Sequence, residues 1–274
     1  MTASILAIDQ GTSGTKAVVV DGEGVVRGLA EATLRPRYLA GGLVEQDPGE
    51  LMESVRATGN EALARADIPV DGVALTNQGE TVLVWDPDTG APLSTMLVWQ
   101  DGRAASECAP LAAQAGLIAQ RTGLVLDPYF SAPKMAWLRR HQTTEGVVTT
   151  SDSWIIHQLT GEFVTDAATA GRSLVTALDT ADYDPDLLAL FGLDGERLPR
   201  IVANDQVVGA TGAFGADLPL GGLIVDQQGA LLAENCLTAG EAKCTFGTGA
   251  FFLTNLGQEP TRSSGGLVSC VAWS

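Results

Sequence analysis

The chain has 274 residues, room for one large domain or two small ones, and 45% of them are hydrophobic, ample for a core. A formal net charge of −17 argues against nucleic acid and anionic membrane surfaces as partners, since both need a basic face. The start has no basic region and reads as no signal peptide, no apolar run approaches the ~20 residues of a membrane span, and four scattered cysteines (Cys108, Cys236, Cys244, Cys270) without a Cys-x-x-Cys pair read as reduced thiols in a cytoplasmic protein.

In chain order, an apolar strand over Ile5–Ile8 delivers a carboxylate, Asp9. A Gly/Ser/Thr turn from Gly11 to Thr15 follows, and a second apolar strand, Ala17–Val20, leaves it. The turn offers backbone N–H groups, the hydroxyls of Thr12 and Ser13, and the cation Lys16, a set suited to phosphate. Asp9 beside it suits a metal ion riding on that phosphate. The spacing is not that of a P-loop or of a dinucleotide fingerprint, because each of those opens a helix and here a strand follows. The pattern is a strand–turn–strand phosphate hairpin; an ordinary glycine-rich turn reads the same way locally.

A third strand, Val25–Ala30, follows the turn over residues 21–24. Asp47-Pro48-Gly49-Glu50 starts a helix, with Asp47 as cap and Pro48 in the first turn, and the helix is predicted to run to Ala66. Val73–Leu75, Val82–Val84 and Met96–Trp99 read as strands, with a turn over residues 87–90. An alanine-rich helix is predicted over Ala104–Ala115, and helical patterns recur over Lys134–Arg140, Ser153–Leu159 and Asp184–Leu193. Leu223–Val225 is a short strand ending in Asp226, and Gln227 opens a helix toward Glu234. Strands mixed with helices in this order indicate an α/β domain.

The tail is different. Ala242–Phe246, Phe251–Leu256 and Gly266–Trp273 read as three successive strands, the first two joined by Gly247-Thr248-Gly249. This loosely repeats the opening of the chain, so a second, related unit is expected to begin near residue 236 and to be cut off after about 39 residues. The expected domains are therefore residues 1–235 and 236–274, the chain being a fragment of a longer protein.

With only two histidines, His141 and His157, catalysis must lean on carboxylates. A metal site from Cys236, Cys244 and His157 has no supporting ligand spacing. Asp9 and Asp226 each end a short apolar strand and face a turn, and ligands of open α/β sheets bind beyond the carboxyl ends of strands. One acid can serve a metal while the other acts as a base; alternatively Asp226 only caps the helix after it. Glu80 follows the polar run Thr76-Asn77-Gln78-Gly79 and can bind hydroxyls. Trp99 and Tyr129 offer flat faces with polar tips, useful against a polyol or simply in a core.

Taken together, these segments resemble the FGGY family of sugar and polyol kinases, and within it the glycerol kinases. The resemblance rests on the stretches 7–13, 42–48 (Gly-Leu-Val-Glu-Gln-Asp-Pro), 76–81, 98–100, 123–131 and the signature Tyr129–His141 with Ser131, Lys134, Trp137 and Leu138 in place. Asp226-Gln227-Gln228 and Gly247-Thr248-Gly249 complete it, so it covers nearly the whole chain in order. It implies an actin-like, ribonuclease H-like α/β domain with a mixed central sheet flanked by helices, the first of two such domains, with the second truncated here.

The family mechanism, carried to matching positions, implies ATP-dependent phosphorylation of a small polyol or sugar hydroxyl. Asp226 would be the general base and Asp9 would place Mg²⁺. Gly11, Thr12, Ser13, Lys16, Gly247, Thr248 and Gly249 would hold the nucleotide, and Gly79, Glu80, Trp99, Tyr129, Asp226 and Gln227 the substrate. Two features set this chain apart. Gly79 stands where glycerol kinases carry Arg, which removes a fork of donors and leaves space for a larger or differently oriented substrate. Gln100-Asp101-Gly102-Arg103 is closer to the xylulose kinase pattern, while the xylulose kinase motif Gln-Met-His-Gly is absent at residues 78–81. Glycerol and a four- or five-carbon polyol or ketose therefore both stay open. The resemblance implies a cytoplasmic dimer or tetramer, and an isolated fragment without turnover. A polyol-binding sensor lacking turnover and an actin-like ATPase are the rival readings; intact Asp9 and Asp226 speak against the first, and Glu80, Tyr129 and the Tyr129–His141 signature against the second.

Overall fold

The computed structural model describes residues 3–247 and 249–274. Three strands open the chain, β1 (Ile5–Gln10), β2 (Gly14–Val20) and β3 (Val26–Thr33), paired antiparallel in succession. Alternating burial along β1 and β2 puts Leu6, Ile8, Ala17 and Val19 into one core. Two short strands follow, β4 (Arg37–Leu39) and β5 (Leu43–Gln46), and then helix α1 (Pro48–Ala66). The Asp47 side chain accepts from the Glu50 N–H at 3.0 Å, Pro48 stands in the first turn, and Asp67 in the left-handed conformation closes the helix. Leu51, Val55 and Ala62, spaced for one helical face, are fully buried against the first sheet.

Strand β6 (Gly72–Asn77) returns parallel to β1, which makes the sheet mixed. Strands β7 (Val82–Trp85) and β8 (Met96–Leu97) belong to a second sheet. Then come α2 (Ala105–Cys108), a 3₁₀ segment (Ala109–Gln114), α3 (Ala115–Thr122), α4 (Ser131–His141), β9 (Val147–Thr150) and α5 (Ser151–Thr160). A connecting stretch holds β10 (Val164–Asp166), α6 (Ala167–Ala170), β11 (Thr176–Ala177), β12 (Asp182–Tyr183), α7 (Pro185–Phe191) and β13 (Arg200–Val202). Strands β14 (Gly209–Thr211) and β15 (Leu218–Val225) complete the first sheet, α8 (Asp226–Ala233) follows, and β16 (Ala242–Phe246) and β17 (Ala250–Thr254) form a hairpin.

The first sheet has the order β14-β15-β6-β1-β2-β3 and the second β4-β5-β8-β7-β9. A second core joins Val82, Val84 and Leu97 to Met135 and Leu138 of α4 and to Leu187 and Phe191 of α7. This is the expected α/β architecture with a mixed central sheet.

Three sequence expectations need correction. The alanine-rich helix does not run unbroken over 104–115. Pro110 lacks an N–H and crowds the preceding turn, and the chain passes through the 3₁₀ segment before α3 extends it to Thr122. The stretch Gly266–Trp273 is not a strand. It finds no ladder and bonds singly instead, Ser269 N–H to the Gly123 carbonyl at 2.8 Å, while Ser274 N–H reaches Asn204 Oδ1 at 2.9 Å. Met96–Trp99 is strand only at Met96–Leu97; Val98 N–H still reaches the Val44 carbonyl, but the Val98 carbonyl accepts from Asp101 N–H in the turn that follows. Most of the second sheet, strands β4, β5 and β9 above all, has no counterpart in the expectations.

Candidate functional site

Strands β1, β6 and β15 run parallel and in register, Asp9 beside Thr76, Thr76 beside Ile224, and Asn77 beside Val225. Their carboxyl ends therefore finish together. Asp9, the loop 78–80 and Asp226 emerge at one edge of the sheet, as expected for a ligand cleft of an α/β protein.

The phosphate hairpin joins β1 to β2. Gly11 N–H is spent on the Gly14 carbonyl at 2.9 Å, so it is not among the free donors that the turn was expected to offer. A Cβ at Gly14 would lie 2.6 Å from the Ala32 carbonyl oxygen, so the close approach of β3 requires glycine there. Thr12 is gripped from two sides. Its hydroxyl accepts from Trp99 Nε1 at 2.9 Å and its carbonyl from Gln46 Nε2 at 2.7 Å. Lys16 is half exposed and pairs with Glu31 at 2.9 Å, across the strand from Asp9. Gly247 N–H closes on the Gly249 carbonyl at 2.9 Å in the β16–β17 turn; Thr248 lies outside the described residues.

Several of the residues expected to hold the polyol lie against one another. Trp99 and Tyr129 meet edge to face with ring centroids 5.4 Å apart, and Phe251 closes on Trp99 at 6.0 Å. Glu80 is 4% exposed and holds a positive φ of 56°, a strained backbone for a residue with a side chain. Arg172 donates from Nε to its carboxylate at 2.6 Å and lies over the Tyr129 and Phe130 rings. Burial, the largest single influence, works against the Arg172 charge, but Glu80, Cys270 and Tyr129 together outweigh it and hold the guanidinium pKa above its usual range. Burial, reinforced by the charge of Glu80, raises the Tyr129 hydroxyl, which stays protonated as a donor. The tyrosine loop is anchored by the wholly buried Lys134, whose ammonium donates to the carbonyls of Pro128, Tyr129 and Phe130.

Asp226 is the first residue of α8, and the capping position belongs to Val225, which makes no side-chain cap. Asp226 is thus not the helix cap; its Oδ1 accepts the Gln227 N–H at 2.7 Å. Burial pushes its carboxyl up to about 6, and the charges of Glu80 and Asp9 add to this. Gln227 is fixed by Lys243 Nζ at 2.6 Å, which ties β16 to α8. Asp9 accepts from Thr76 Oγ1 at 3.0 Å on one oxygen, and desolvation raises its pKa against the pull of Thr76 and Lys16. Among the described residues no cluster of three or more His, Cys, Asp and Glu forms a metal cage. The donor set fits Mg²⁺ nonetheless, since that ion takes one or two carboxylates and completes its shell with water and phosphate.

Gly79 behaves differently from expectation. The volume beside its Cα is not open, because a Cβ there would lie 2.9 Å from Val225 Cγ2. Arg172 and Phe251 carry no role in the sequence reading. Arg172 is 92 residues from its partner Glu80, and nothing in Ala170-Gly171-Arg172 announces the pairing. A cavity of about 510 Å³ lined by Ala105, Cys108, Ala112, Ala119 and Leu126 offers no chemistry, since burial pushes the Cys108 thiol up to about 11. No helix among the described residues is long and apolar enough to cross a membrane.

Residues 4–232 match the N-terminal domain of the FGGY family of carbohydrate kinases. The chain is 42% identical over 287 residues to a glycerol kinase of Alkalilimnicola ehrlichii and 42% identical over 286 residues to one of Thermus brockianus. Each match covers 98% of this chain and 58% of the relative, so the chain spans little more than half the length of these relatives. Among solved structures, Plasmodium falciparum glycerol kinase with ADP superposes with a TM-score of 0.94 at 30% identity, covering 99% of this chain and 58% of that one. Xylulose kinase from Rhodospirillum rubrum gives 0.85 at 26% identity, over 91% and 54%.

Proposed function

The chain belongs to the FGGY family of carbohydrate kinases, and from that premise we propose that it is the substrate-binding half of an ATP-dependent kinase acting on a hydroxyl of a small polyol or sugar. The observation that carries the reading is the convergence of Asp9, Glu80 and Asp226 at the ends of three parallel strands, beside the edge-to-face pair of Trp99 and Tyr129. Glu80, Tyr129 and Gln227 hydrogen-bond hydroxyls, and Trp99 packs on the carbon chain. Asp226 accepts the proton of the reacting hydroxyl; with its carboxyl near 6 it is ionised at neutral pH yet still basic.

Thr12, Ser13 and the turn at Gly247 and Gly249 hold phosphate, and Asp9 holds Mg²⁺, which when bound neutralises phosphate charge. Phosphoryl transfer needs little covalent help, so positioning and charge neutralisation dominate. In this reading residues 1–235 form the polyol-binding domain, residues 236–274 open the ATP-binding domain, and the assembled enzyme is a dimer or tetramer.

The test is a coupled ADP-release assay on the full-length kinase with Mg-ATP and a panel containing glycerol, erythritol, ribitol, xylitol and D-xylulose. Saturable turnover on one of them is expected. A folded protein silent across the panel would sink the polyol reading.

A further inference from the structure

Between the residues proposed to hold the polyol and the phosphate hairpin lies a run of buried amides. Gln46, at the end of β5 in the second sheet, is 4% exposed, and Gln78, just beyond β6 of the first, is 1% exposed. Gln78 Nε2 donates to Gln46 Oε1 at 2.7 Å, and Gln46 Nε2 donates to the Thr12 carbonyl at 2.7 Å. The polarity of this relay is set at one end. A backbone carbonyl can only accept, so Gln46 must turn its NH₂ toward Thr12, and only its oxygen is left for Gln78.

Gln78 immediately precedes Gly79 and Glu80, and its own N–H is held by the Gln10 carbonyl at 2.7 Å, at the mouth of the hairpin. Trp99, proposed to pack on the polyol, reaches the Thr12 hydroxyl from the other side. These two bonds hold Thr12, and both lead back to the residues proposed to hold the polyol. Because both amides are shut away from water, no solvent molecule replaces a lost link, and displacement of one group is passed to the next.

We propose that Gln46 is a positioning residue that couples polyol binding to the phosphate hairpin: polyol seated at Glu80 and Trp99 presets Thr12 for phosphate through Gln78 and Gln46. The inference rests on the polyol-kinase reading for its ligand, and on the geometry alone for its path.

The test is a two-dimensional N–H NMR titration of the 274-residue chain with glycerol and, separately, D-xylulose, in wild type and in Q46M, which keeps the volume and removes both hydrogen bonds. In wild type the polyol shifts the Gly11 and Thr12 amide signals and the Trp99 indole N–H. In Q46M the polyol affinity stays within about twofold while the Gly11 and Thr12 shifts shrink by about threefold or more. Undiminished hairpin shifts in Q46M would overturn the coupling.

Binding of neither probe to wild type would count against the polyol reading instead, and a ligand-free cycle then decides the path. Q78M alone should move the Thr12 amide, and the same substitution added to Q46M should leave it unmoved. An equal displacement in both backgrounds would mean that the relay does not run through Gln46.

Discussion

Asp226 illustrates how one side chain's surroundings set its task. Its carboxyl is raised from the ordinary 3.8 to about 6 by burial, Glu80 and Asp9, against the pull of its hydrogen bonding to Gln227. Asp226→Asn in the full-length kinase should lower turnover by about a hundredfold or more with little change in substrate affinity, read from steady-state kinetics; near-normal turnover would remove Asp226 from the role of base. In wild type kcat/KM should climb with pH up to about 6 and level off above, since only the ionised form accepts a proton.

The same shift has a stability consequence of fixed sign. A raised carboxylate pKa costs folding nothing below about pH 4 and up to about 3 kcal/mol once the pH passes 6. Denaturant titrations should therefore find the stability of Asp226→Asn, relative to wild type, growing between pH 4 and 6 and flat above. At Gly79 the contact with Val225 decides. Gly79→Arg should destabilise by about 1–3 kcal/mol through overpacking. Combining it with Val225→Ala should recover most of the loss and shift preference toward glycerol, as measured in the polyol panel.

Among elements, α1 shows local chemistry and packing in agreement. Asp47→Ala removes the cap and should cost about 1 kcal/mol in a denaturant titration. The opposite wall of the same contact tolerates less. A Cβ at Gly28 on β3 would stand 2.1 Å from the Ala62 carbonyl of α1, and both partners there are backbone. Gly28→Ala should cost about 3 kcal/mol, more than the lost cap, because the helix must lift off the sheet. The elements that local pattern announced are those with local causes: β1 and β2 by their alternation, α1 by its cap and proline, α8 by the polar residues after an apolar strand. Of the second sheet only β7 and β8 were announced, as short apolar runs. Strands β4 and β5 span only 3 and 4 residues, and β9 is buried at all four positions, so no alternation marks it.

At the scale of the whole molecule, the site is assembled from segments far apart in the chain. The Thr12 hairpin, Gln46, Gln78–Glu80, Trp99, Tyr129, Arg172 and Asp226 meet because β1, β6 and β15 share one sheet edge. The 274-residue chain alone should bind polyol yet release no ADP, since it spans 58% of its glycerol kinase relatives; robust turnover by the chain in the coupled assay would refute the division into polyol-binding and ATP-binding parts.

The sequence by itself determined the fold class, the hairpin, the α1 cap and the two strand-end aspartates, because each depends on residues within a few positions of one another. It determined the family too, through motifs met in order along the chain. Only the tertiary structure decided that Arg172 pairs with Glu80, that Val225 fills the space beside Gly79, that Asp226 is not a helix cap, and that Gln46 bridges two sheets. Those contacts are chosen by burial and by the need of each enclosed polar group for a partner, and neither is written in local spacing.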